Sequence, residues 1–94
     1  MENENIISLQ KVCTLYNIEV TFVHSLRDYG LIELVENEEE DFIHQDLLPE
    51  IERMMHLHYD LNINIEGIDA ISHLLRRVEE LQQELTVLRN KLQS

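Results

Sequence analysis

From Ile71 onward the apolar residues fall at Ile71, Leu74, Val78, Leu81, Leu85, Leu88 and Leu92, with spacings that alternate between three and four. That alternation is the heptad repeat of a helix whose seam meets another helix, with Ile71, Val78, Leu85 and Leu92 at a and Leu74, Leu81 and Leu88 at d. Neither Pro nor Gly interrupts the stretch, and its other positions are mostly Arg, Glu, Gln, Asn and Lys. A helix from about Ile65 to Gln93 would run roughly 40 Å. The two halves of the stripe differ. Ile68 and Leu75 add apolar residues at e, so the first half presents a broad face suited to a globular body. Past Val78 the e and g sites hold Gln82, Glu84, Arg89 and Lys91, and only a narrow seam remains. β-Branched residues at two a sites with Leu at every d favour two strands, parallel or antiparallel. A long core helix of a monomer would use the same spacing. Because 94 residues leave little else to cover the stripe, its seven residues are the expected dimerisation seam.

Charge divides the chain at the same place. Residues 1–62 carry 14 acidic against 3 basic side chains, a net of −11, and residues 63–94 carry 5 against 4, a net of −1, which together give the overall −12. The expected organisation is therefore an acidic body over 1–62 and a nearly neutral dimerisation helix over 63–94. Such a body repels phosphate backbones and attracts basic protein surfaces. An apolar fraction of 44% suffices for a modest core, and a domain this small gains stability from pairing. A single cysteine, Cys13, rules out an internal disulfide. No apolar run approaches the ~20 residues of a membrane span, and Glu2 and Glu4 make the start unlike a signal peptide. The expectation is a soluble cytoplasmic protein.

Within the body, Ser8 is placed to cap a helix over Leu9–Tyr16, whose apolar face is Leu9, Val12, Cys13 and Tyr16, with Asn17 as its stop. A second helix from about Val20 to Tyr29 would bury Phe22, Val23, Leu26 and Tyr29 and end at Gly30. The pair reads as a helix-turn-helix. Strand formers at Leu31–Val35 and Asp41–Ile43 flank Glu36-Asn37-Glu38-Glu39-Glu40, which predicts a two-stranded wing with an acidic tip. A third helix starts near Gln45 or Asp46, with Pro49 in its first turn. Asn64 is the expected N-cap of the long helix, and Gly67 marks a close approach to another element.

Catalytic chemistry finds no footing. His56 and His58, two apart, would diverge by about 200° on a helix and cannot share a metal. His24, His44 and His73 lie in other segments. There is no Gly-rich phosphate loop and no nucleophile elbow. The expectation is a protein that is not an enzyme, with no catalytic residue, metal or cofactor. Met54 and Met55 fit either an adaptable contact surface or core filling.

The order of these elements, mainly α, resembles the MerR-like winged helix-turn-helix with a long C-terminal coiled-coil helix, and within it the CbpM-type chaperone modulators. The similar stretches are Gly30-Leu31-Ile32-Glu33, Leu57-His58-Tyr59-Asp60-Leu61, Gly67-Ile68 and the repeat from Leu85 to Leu92. Glu19 departs from the usual Ser or Thr cap, and Ile65-Glu66 from an expected Trp-Pro. The resemblance implies a regulator that binds the J-domain of a DnaJ-like co-chaperone and inhibits it. J-domains carry a basic helix, so the first candidates for contact are Glu36, Glu38, Glu39, Glu40 and Asp41, with whichever of Met54, Met55 and Leu57 is exposed as the alternative apolar anchor. The alternatives are a MerR-type transcriptional regulator with weak or lost DNA binding, and a structural adaptor joined through its coil. DNA-binding relatives usually present Arg-Tyr-Tyr where this chain has His24, Ser25 and Leu26.

Overall fold

The computed structural model describes residues 5–93, so Glu2 and Glu4 of the acidic leader lie outside the described residues. In chain order the elements are β1 (Ile6–Ser8), α1 (Leu9–Tyr16), α2 (Val20–Asp28), β2 (Val35–Glu36), β3 (Asp41–His44), α3 (Leu48–Met55) and α4 (Ile65–Gln93). A 3-10 turn over Gln45–Leu47 leads into α3, and a π turn over His56–Asp60 leaves it. This is the winged helix-turn-helix with a long terminal helix that the sequence pattern predicts.

Both helices of the helix-turn-helix end in the same doubly bonded turn. Asn17 takes the left-handed conformation at φ 58°, while Ile18 N–H bonds the Cys13 carbonyl at 3.0 Å and Asn17 N–H the Thr14 carbonyl at 3.3 Å. Gly30 does likewise at φ 76°, with Leu31 N–H on Leu26 O and Gly30 N–H on Arg27 O, both at 2.9 Å. Two carbonyls that a helix end leaves orphaned are thereby satisfied at each stop. The second helix is one residue shorter than the apolar spacing predicts. Tyr29 lies beyond its end and is exposed, not buried, and its hydroxyl donates to Glu66 Oε2 at 3.1 Å.

The sheet has three antiparallel strands in the order β1-β3-β2, not two. Ile6 and Ile7, just ahead of the Ser8 cap, form its third strand, with Ile7 opposite Ile43 and Ser8 opposite Phe42. Leu31–Leu34 are not a strand. Ile32 is buried and Leu31 and Leu34 pack against the core, so this segment supplies side chains to the interior and pairs only from Val35. Ser8 ends β1 and caps α1: its Oγ accepts from Lys11 N–H at 3.4 Å and donates to Glu40 Oε1 at 3.0 Å.

The core joins α1 (Leu9, Val12, Cys13), the turn (Ile18), α2 (Phe22, Val23, Leu26), Ile32, Ile43 and α3 (Ile51, Met54). The single buried residue from α4 among those described is Ile68. Asn64 caps α4, its Oδ1 accepting from Gly67 N–H at 2.8 Å. A Cβ on Gly67 would stand 2.6 Å from Ile63 Cγ2. The close approach is thus to the turn just before the helix, not to another element.

Candidate partner-binding surfaces

Three features of the surface bear on function: the wing, the outer length of α4, and a groove beside the π turn. The wing holds the acidic run that the sequence singles out. Glu36 lies on β2 and is bonded by Arg27 at 2.5 Å, and Arg27 also holds Asp28 at 3.1 Å. Asp41 opens β3, half-buried, with His24 Nε2 at 3.4 Å from Oδ2. Between them Asn37 Oδ1 accepts from the backbone N–H groups of Glu39 and Glu40, both at 2.9 Å, and fixes the turn. Glu38, Glu39 and Glu40 are exposed on it. The five acids are brought together, but Glu36 and Asp41 already face a cation or a histidine. An exposed pair such as Arg27 with Glu36 adds little to stability.

The same geometry bears on DNA. Of the three helix-two positions compared with Arg-Tyr-Tyr, Leu26 is fully buried in the core and His24 is turned to Asp41 of the wing. Arg27, the one Lys or Arg of α2, is engaged by Asp28 and Glu36. Phosphate contacts, which supply most non-specific affinity, find no unengaged Lys or Arg on α2 or the wing among the described residues.

The terminal helix changes character along its length. Ile68 is buried and Ile71 half-buried against the body, while Leu74, Val78, Leu81, Leu85, Leu88 and Leu92 stand 43 to 87% exposed in the single chain. Leu75, which broadens the first half, is 37% exposed. The body therefore covers about the first two turns of α4 and, of the seven seam residues, only Ile71.

Met54 cannot serve as an apolar anchor for a partner. It is 2% exposed, packed in the core, because it shares the buried face of α3 with Ile51. Met55 is half-buried and reaches the surface in a groove lined by Tyr16, Asn17, Ile18, Glu52, Met55, His56, Tyr59 and Asp60. Tyr16 donates to Glu52 Oε2 at 2.7 Å across the groove, and this bond, with burial and the carboxylate's charge, raises the phenol above its ordinary pKa. His56 Nδ1 lies 2.8 Å from Asp60 Oδ2. The π turn sets His58 and Tyr59 side by side on Phe22: the His58 ring stacks on it at 4.7 Å and Tyr59 meets it edge-on at 5.2 Å. Since a carbonyl only accepts, the 2.9 Å contact from His58 Nδ1 to Ile63 O places a proton on Nδ1. Sequence reasoning missed this groove. The signal was the His58-Tyr59-Asp60 run, but nothing local pairs Tyr16 with Glu52, which is 36 positions away.

Among the described residues, no group of His, Cys, Asp and Glu is disposed to hold a metal, and no helix is long and apolar enough to cross a membrane. The fold, with its wing, its helix-turn-helix and its half-covered terminal helix, is that of a MerR-type regulator. The family model described as "MerR HTH family regulatory protein" matches residues 7–90, and the chain belongs to that family.

Within it, the chain is similar to proteins named chaperone modulatory protein CbpM. The one from Pseudomonas entomophila is 23% identical and one from Pseudomonas putida (strain GB-1) 25% identical, each over 87 residues that cover 92% of this chain and 86% of the relative. No solved structure matches the chain.

Proposed function

We propose that this protein is a regulatory binding protein that occupies the J-domain of a DnaJ-like co-chaperone and inhibits its activity, acting as a homodimer paired through the seam from Ile71 to Leu92. The observation that carries the reading is the conversion of the winged helix-turn-helix face to acid. Asp28, Glu36 and Asp41 take up Arg27 and His24, and Glu38, Glu39 and Glu40 stand outside them. A body at −11 attracts a basic helix and repels nucleic acid. The similarity to chaperone modulators supports the class of partner.

The test is functional. A J-domain protein from the same cell is mixed with its DnaK-type chaperone, and ATP hydrolysis is followed while this protein is added. Stimulation by the J-protein should fall to the chaperone's basal rate, and the inhibition should weaken as salt rises, because opposite surface charges are screened within ~10 Å at 0.1 M. Stimulation that persists at saturating protein, together with retention of a specific DNA duplex, would leave the transcriptional-regulator reading in its place.

A further inference from the structure

We propose that the groove between the end of α1 and the π turn after α3 is the seat of the partner's basic helix, and that the wing only steers its approach. This rests on the J-domain reading above. The groove has the composition of a helix-receiving site. Its apolar surface comes from Tyr16, Ile18, Met55 and Tyr59, its carboxylates are Glu52 and Asp60, and no Lys or Arg lines it. An amphipathic helix lies with its apolar side on such a floor and its Lys or Arg residues against the acids.

The site is also preorganised, which lowers the entropic cost of docking. Tyr59 is held by Phe22 and His58, and its hydroxyl accepts the Glu19 N–H at 3.3 Å, yet the residue remains 44% exposed. The Tyr16 hydroxyl holds the Glu52 carboxylate at 2.7 Å. Met55 alone in the floor is unbranched and flexible, and adapts to the shape of what it meets. Tyrosine is among the residue types that dominate binding energy at protein interfaces, and methionine is enriched there. The wing offers the reverse. Its Glu38, Glu39 and Glu40 sit exposed on a turn, and charges at such a rim set association rate more than residence time. A second copy of this chain, at net −12, meets the acids of the groove with like charge.

Calorimetry and stopped-flow binding of a J-domain to the full chain test this with four proteins: wild type, Glu52→Lys with Asp60→Lys, Glu52→Gln with Asp60→Asn, and Glu38→Ser with Glu39→Ser and Glu40→Ser. Circular dichroism confirms the fold of each. The charge reversal should weaken affinity by about tenfold or more, and the amide pair, which keeps an acceptor for Tyr16, by about threefold, mainly through faster release. The wing variant should bind about twofold to threefold more slowly with little change in release. If the reversal does not fold, the amide pair carries the test. Wild-type binding with both groove variants within about twofold of it overturns the groove and leaves the J-domain reading standing. Wild type that binds no J-domain at any salt overturns both. A change in the mass of the protein alone on charge reversal would make the groove a self-contact and overturn the proposal as well.

Discussion

The body and the terminal helix solve opposite problems with the same chain. The body closes its own core: all but one of the buried apolar residues described belong to it, and its excess charge lies outside. Past Ser72 the helix does the reverse, leaving its apolar seam open and carrying almost no net charge. The difference has a physical logic. Two copies at −12 repel each other, and the repulsion is least where a nearly neutral surface makes the contact. Charge concentrated on the body remains available to a basic partner. Under the proposed function the contrast separates two tasks, self-association at the seam and partner contact on the body.

The largest expected effect comes from placing charge in the seam. Leu81→Asp with Leu88→Asp should convert a dimer into a monomer of 11.2 kDa by sedimentation, with the body still folded. Unchanged mass would show that the exposed stripe is not the contact. Next come truncations in the body's core. Ile51→Ala, at a fully buried position, should cost about 3 kcal/mol in denaturant unfolding. Val87→Ala, 52% exposed and off the a/d seam, should cost under about 0.5 kcal/mol. Equal costs would erase the distinction between a closed and an open region.

A gel-shift titration at moderate salt should show no retention of duplex DNA at concentrations where ordinary non-specific binders shift it, which is ~1–100 μM. Specific binding at nanomolar protein would contradict the account of the acidic face.

Smaller effects probe how the body is terminated and tied. Gly30→Ala, at φ 76°, should destabilise by about 1 kcal/mol despite open space for the methyl group, since the cost is in the left-handed backbone. Tyr16 gives a pH signature. Its bond to Glu52 raises its folded pKa above the ordinary value, so the stabilisation is complete below about pH 10 and is lost as pH rises through the folded value. Tyr16→Phe should remove that alkaline part of the stability profile, leaving other alkaline losses in place.

The two regions also differed in how much of them could be read from sequence. Repeats and stops are local, and they were legible: the 3-4 spacing from Ile71, the left-handed Asn17 and Gly30, and the cap at Asn64 all appear where the residues predict. Pairings across the chain were not. β1 exists because Ile7 finds Ile43, and a three-residue strand carries too little pattern to be seen beside Ser8, whose capping signal dominates. Leu31–Leu34 has strand formers but spends them on the core, so tertiary packing overrides propensity. Tyr29 fits the helical spacing of α2, yet Gly30 draws the helix to a close before it. Of the expected partner residues, Glu36, Glu38, Glu39, Glu40 and Asp41 do share the wing, whereas Met54 is buried in the core and Met55, partly packed against that core, also reaches the groove, which adjacency in sequence could not decide. The groove was hidden for the same reason as β1.

The separation of tasks is tested most directly by sedimentation of the Leu81→Asp, Leu88→Asp variant mixed with a J-domain. The prediction is a monomer that still carries one J-domain, at an affinity within about threefold of wild type. A variant that loses the J-domain together with its dimer, at an intact circular dichroism spectrum, would show that the partner is recognised across the seam and that the two regions are not separable.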